Sequence, residues 1–214
     1  MVQADTRIVD VIRQMQEQRK QDRQIFYDIY SQQEKRQDPE KKDTGLFFFR
    51  GEKKAPFAVV CAGGGFYYVG SIHESLPHAL ELSRQGYNGF ALVYRTRTAD
   101  AACQDLGSYG LGAFGEGRLP RACAVIMQYT GHSQYSPADL STYACVGGRD
   151  GIADWRVMKR RLQCMEELGI DTEFHLYPGL RHGFGLGVGT EAEGWIDDAV
   201  RFWDRNRAGK KALR

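Results

Sequence analysis

The sequence predicts an α/β fold of doubly wound type, built on a mostly parallel sheet. Three observations carry that prediction. Short continuous apolar runs recur from residue 55 onward, segments with helical apolar spacing alternate with them, and several runs end in glycine-rich turns. Strand and helix in alternation imply right-handed β-α-β units whose helices cover both faces of the sheet. The chain has 214 residues, 42% hydrophobic and 26% charged, which is ordinary globular composition and enough for one sizeable core.

In chain order, Ile8, Val9, Val11, Ile12 and Met15 recur at helical spacing in a Gln- and Arg-rich run, which predicts a short amphipathic helix. Ile25 to Tyr30 and Leu46 to Phe49 read as two strands of an antiparallel pair, and the mixed charges of Gln32 to Lys42 read as a solvated loop between them. Phe57 to Cys61 has the composition of a buried parallel strand, and Leu76 to Gln85 that of a helix closed by Gly86. Four more strands follow at Phe90–Tyr94, Ala124–Gln128, Tyr143–Val146 and Glu173–Tyr177. Helices are predicted at Trp155–Leu168, capped by Asp154, and at Ala192–Asn206. The resulting division is 1–24 for an N-terminal helical extension, 25–206 for the α/β domain and 207–214 for a basic C-terminal tail.

Several function classes receive no support. With 29 Lys and Arg against 27 Asp and Glu, the formal charge is +2, so nothing in the balance argues for nucleic acid or an anionic membrane as partner. The longest nearly apolar stretch, Ala55 to Tyr68, is too short to span a bilayer, and the first residues do not resemble a signal peptide, so a cytoplasmic location is expected. Five widely spaced cysteines form no C-x-x-C pair and read as reduced, mostly buried thiols. The five histidines show neither H-x-H nor H-x-x-x-H spacing, so no metal is expected; His73 and His78 read as surface or helix-end residues. No phosphate-binding glycine motif opens a helix, and no cofactor is expected.

In open α/β sheets ligands bind beyond the carboxyl ends of the strands, and there three features stand out. Gly63, Gly64 and Gly65 follow the strand 57–61, where backbone without Cβ atoms can turn N–H groups toward a tetrahedral oxyanion. Asp150 follows the strand 143–146 behind Gly147 and Gly148, and His182 follows the next strand. That order lets the carboxylate orient the imidazole and stabilise its cation. The aromatic residues Phe66, Tyr67, Tyr68 and Phe184 are placed to line a pocket for an acyl or sugar group. The glycine-rich stretch 183–194 reads either as a flap over it or as a plain connection.

These loops resemble the α/β-hydrolase superfamily, in particular its esterase/lipase branch, which includes acetyl-ester and dienelactone-type hydrolases. The anchors are Ala62-Gly-Gly-Gly-Phe66, Gly86 to Arg95, Val146-Gly-Gly-Arg-Asp150 and Tyr177-Pro-Gly-Leu-Arg-His182-Gly-Phe184, within a resemblance that spans about 25–206. In related lipases a histidine opens the oxyanion motif, and here that position is Ala62. The resemblance implies Asp150 as triad acid, His182 as general base and N–H groups around Gly64 and Gly65 in an oxyanion hole, acting on a small-molecule ester.

One part of that machinery is missing from the sequence. No G-x-S-x-G nucleophile elbow occurs. Ser133, in Gly131-His-Ser-Gln-Tyr135, is a weak candidate that follows the wrong strand, and Ser108, in Leu106-Gly-Ser-Tyr-Gly110, is weaker. Two crossovers and a strand need roughly forty residues, and the stretch from Thr96 to Arg121 is little more than half of that. The helix-strand-elbow segment is therefore expected to be absent between about Leu106 and Gly107, and with it the central strand of the sheet. Loss of a central strand would leave unpaired backbone edges, so marginal stability or an altered sheet order is expected. Three readings stay open: an esterase by descent that lacks its serine, a non-catalytic module that keeps the ligand pocket, and an enzyme that recruits Ser71, Ser133 or Cys61. The N-terminal helix is free to pack on the domain or on a second copy, which leaves a homodimer open.

Overall fold

The computed structural model describes residues 6–96, 105 and 122–211. They fall into two compact units, Met1–Gly112 and Ala113–Arg214. In the first, α1 (Thr6–Lys20) is followed by β1 (Phe26–Asp28), α2 (Gln32–Gln37), a 3-10 turn (Pro39–Asp43), β2 (Gly45–Phe49), β3 (Phe57–Cys61), α3 (Ser75–Arg84) and β4 (Asn88–Val93). The sheet order is β1-β2-β4-β3. β1 and β2 form the expected antiparallel pair, with Tyr27 opposite Leu46, and β3 runs parallel to β4, with Val59 opposite Phe90.

Strand alternation on β4 sends Ala91 to one face of this sheet and Leu92 to the other. Ala91 packs with Phe49, with Leu76, Ala79 and Leu80 of α3, and with Val11 of α1, which is only 1% exposed. The N-terminal helix is thus built into the core of the first unit by the one apolar stripe its sequence carries. Leu92 joins Ile29, Tyr30 and Tyr94 on the opposite face.

The stretch Gln32 to Lys42 is largely solvated, as its charges suggest, but it is helical rather than a loop, and Lys35 is buried. Ser31 caps α2 by accepting from the Glu34 backbone N–H, and the Glu34 carboxylate accepts from the Ser31 N–H in return, a capping box that a mixed-charge reading overlooks. His78 is likewise not a surface residue; it is buried in α3, with its Nδ1 at the Glu74 carbonyl.

A buried polar knot ties the end of β4 to the rest of this unit. Asp105 is fully buried and accepts from the Arg95 backbone N–H at 2.7 Å, from Arg95 Nη2 at 2.9 Å and from the Tyr30 hydroxyl. Arg95 reaches on to Asp38 at 3.0 Å. Burial pushes the Tyr30 hydroxyl up to about 12, so it remains protonated and donates.

In the second unit, β5 (Val125–Gln128), β6 (Thr142–Gly147) and β7 (Thr172–Tyr177) form an all-parallel sheet in that order, with α4 (Trp155–Glu167) and α5 (Trp195–Lys211) as its helices. Ala144 and Val146 face Met158 and Leu162 of α4. Tyr143 points the other way, its ring 6.1 Å from Phe202 of α5, so helices cover both faces as the doubly wound pattern requires. Asp154 caps α4 as expected, accepting from the Arg156 N–H at 2.9 Å. α5 runs on to Lys211 and takes in much of the basic tail.

The expected missing segment lies outside the described residues, as do Ser108 and Cys103. Among the described residues, β3 pairs only with β4 and β5 only with β6, so each sheet ends in an apolar parallel strand bonded on one side. β3 is accordingly less buried than its composition suggests, with Phe57 62% exposed. Four described cysteines are free thiols; Cys145 and Cys164 are buried, whereas Cys61 is exposed.

Replacing Asp105 by Ala strands the buried Arg95 guanidinium without its carboxylate, and urea unfolding of Asp105→Ala should show a loss of about 3–5 kcal/mol.

Candidate functional site

The parallel pairing of β6 and β7 sets Gly147 opposite Tyr177, so the loops after both strands leave the sheet at one level. They are stitched together there. Gly148 N–H donates to the Tyr177 carbonyl at 2.7 Å and Arg149 N–H to the Leu180 carbonyl at 2.9 Å. A Cβ on Gly147 would overlap the Leu180 carbonyl and one on Gly148 would crowd Pro178, which is why two glycines precede the acid.

This stitching brings Asp150 and His182 into contact. Asp150 Oδ1 accepts from the Ile152 and Ala153 N–H groups at 2.8 Å each, and Oδ2 meets His182 Nδ1 at 2.8 Å. The Asp150 side chain is fully buried, while that of His182 is 30% exposed. With all of its neighbours donating, the carboxylate is held as an acceptor. Nδ1 of His182 is then the protonated ring nitrogen, and Nε2 keeps a lone pair for an incoming proton. Among the described residues, Asp150 is the one hydrogen-bond partner of the His182 ring.

Three residues outside the sequence motifs complete this side. Tyr129, directly after β5, has φ of 40° and packs its ring 4.7 Å from the imidazole. It is also 5.0 Å from the ring of Phe184. Gln128 Nε2 and Trp195 Nε1 both donate to the Gly185 carbonyl, at 2.6 and 2.9 Å, and pin the chain just past His182. With Ala192 fully buried as well, the glycine-rich stretch is a fastened connection at these points. Phe184 lies half-buried against Tyr129 and Tyr177 and packs on the core cluster.

In the first unit, the loop after β3 turns on Gly64 (φ 141°), Gly65 (φ 59°) and Phe66 (φ 65°). A Cβ at Gly64 would collide with the Tyr68 carbonyl. The Gly63 N–H is engaged by Glu74 Oε2 at 2.6 Å, whereas the N–H groups of Gly64 and Gly65 have no partner among the described residues. Glu74 went unnoticed in the sequence because an acid beside a helix N-terminus reads as ordinary complement to the helix dipole. Phe66 is 39% and Tyr67 88% exposed beside this loop. A cavity of about 450 Å3 opens there, lined by Tyr67, Tyr68, Tyr94 and Arg95 among others.

Ser133 is not brought to His182. It lines a separate pocket of the second unit with Tyr135 and three arginines. Among the described residues, no helix is long and apolar enough to cross a membrane.

No family model matches this sequence, and no curated protein matches it either. Solved structures do. An acetyl ester-xyloside bifunctional hydrolase from Caldicellulosiruptor lactoaceticus superposes with TM-score 0.73 at 16% identity, covering 84% of this chain and 95% of that one. An α/β hydrolase from a Medee basin deep-sea metagenome gives 0.63 at 17% identity, covering 77% and 93%. The carboxylesterase Cest-2923 from Lactobacillus plantarum gives 0.63 at 16% identity, covering 76% and 92%. The chain therefore has the α/β-hydrolase fold.

The Asp150–His182 geometry predicts a specific tautomer. In 1H–15N spectra of the imidazoles, His182 should carry its proton on Nδ1. In Asp150→Asn the amide NH2 must face the ring once its oxygen takes the two backbone donors, so the proton should move to Nε2.

Proposed function

Taking the α/β-hydrolase fold as premise, we propose that this chain carries the acid–base half of a carboxylic ester hydrolase for small acyl or acetyl esters, and lacks the serine that would complete it. The observation that supports this most is the buried Asp150 carboxylate held by two backbone N–H groups and bonded to His182. In Ser-His-Asp logic, Nε2 of His182 takes the proton of an attacking hydroxyl. Asp150 steadies the resulting imidazolium, and the proton passes on to the leaving alkoxide. The unpartnered N–H groups of Gly64 and Gly65 suit an oxyanion hole. Gly63 suits it less, since its N–H is spent on Glu74.

Phe66 and Tyr67, exposed beside the glycine loop, are assigned to substrate binding. Phe184 contributes by backing Tyr129 behind the histidine. The names of the structural neighbours, an acetyl ester-xyloside hydrolase and a carboxylesterase, support an ester as substrate. No step in this chemistry calls for a metal or an organic cofactor. A cytoplasmic site of action and a homodimer through the exposed Val9 and Ile12 of α1 complete the reading.

The sequence contains no G-x-S-x-G, so the chain as it stands should form no acyl-enzyme. A fluorophosphonate probe should leave it unlabelled, and aryl acetate hydrolysis should not exceed that of His182→Ala. A labelled product that disappears in Ser133→Ala or Ser108→Ala would show instead that another serine has been recruited.

A further inference from the structure

One face of α4 and the loop after β5 enclose a pocket of about 380 Å3 whose lining includes neither Asp150 nor His182. Val157, Arg160, Arg161 and Cys164 stand on that face at positions three, four and seven apart, as one stripe of a helix. The loop supplies the hydroxyls of Ser133 and Tyr135, and Arg156 adds a third guanidinium. No carboxylate lines the pocket.

The three arginines are held differently. Arg161 is 7% exposed and fixed from three sides: Nε donates to the Gln134 carbonyl at 2.7 Å, Nη2 to Asp139 at 2.8 Å, and Nη1 to the Met127 sulfur at 3.4 Å. Two of its five N–H groups are left over. Arg156 lies 4.5 Å over the Trp155 ring and only 3.7 Å from Asp154. Arg160 is exposed and forms no ion pair among the described residues.

We propose that this pocket binds a phosphate group carried on a small organic body. Guanidinium forks match phosphate oxygens in pairs, and a tetrahedral dianion has enough acceptors to use two forks and two hydroxyls together. A carboxylate, with two oxygens, would leave donors idle. Val157 and the half-exposed Tyr135 ring offer apolar surface for the organic part. The charge of Arg161 is offset by Asp139, so the attraction for an anion comes mainly from the exposed Arg156 and Arg160, while Arg161 offers its two remaining N–H groups at a fixed position.

Phenyl phosphate titrated into the full chain, followed by backbone 1H–15N spectra, tests this. Saturable shifts confined to residues 133–135 and 156–164 are expected. The double variant Arg156→Gln, Arg160→Gln should weaken binding about tenfold or more. Both side chains are exposed, so the variant should keep the wild-type His182 imidazole signals, which reports an intact fold. Inorganic phosphate should bind more weakly than phenyl phosphate, and equal affinity would overturn the assignment of an organic body. Shifts scattered over every basic surface, or unchanged affinity in the double variant, would overturn the site itself.

Discussion

An acid on one loop and an imidazole on the next can meet only if the strands beneath them run parallel and in register. The pairing of Asp150 with His182 depends on that constraint. Gly147 stands opposite Tyr177, and a slip of one residue would reverse the faces of the strand and carry Asp150 out of reach of His182. The register is secured from both sides of the sheet, by Met158 and Leu162 against Val146 on one face and by Phe202 against Tyr143 on the other. Core packing thus sets the position of the carboxylate, and the backbone N–H groups of Ile152 and Ala153 set its orientation.

The two units solve the same problem of burying charge in different ways. In the second, Asp150 is neutralised mainly by backbone donors, which leaves its other oxygen free for the histidine. In the first, Asp105 is surrounded by side chains, Arg95 and Tyr30, and has no oxygen to spare for chemistry. A buried acid whose partners are fixed ions is a fastening; one held by backbone amides with an imidazole at its rim can serve a reaction. The sheet edges are the weak points of both units. Among the described residues, β3 and β5 each have one bonded side, yet their sequences, Phe-Ala-Val-Val-Cys and Val-Ile-Met-Gln, carry none of the charges or prolines that guard natural edges.

Much of this was legible in the sequence. Short apolar runs, several of them ending in glycine-rich turns, mark the strands of the parallel sheet, and Asp150 and His182 stand out because each follows a strand behind glycine. What stayed hidden depends on distance through space. Tyr129 reaches the imidazole only because a non-glycine residue adopts positive φ after β5, and no local pattern encodes that. Glu74 reaches back eleven positions to Gly63, and the Asp105 knot joins residues as far apart as Tyr30 and Asp105. Ser133, a weak candidate after the wrong strand, sits in a loop bonded to Arg161 of α4 and lines a pocket that does not include the histidine.

We propose Asp150 and His182 as the acid–base half of an ester hydrolase that lacks its nucleophile, and a restored nucleophile would reveal it. The most direct measurement is aryl acetate hydrolysis by the chain with a strand and G-x-S-x-G elbow inserted between Leu106 and Gly107, compared with the same insertion in His182→Ala. Turnover is expected in the first and should fall by a factor of about a thousand or more in the second. Equal turnover in a folded His182→Ala protein would contradict it.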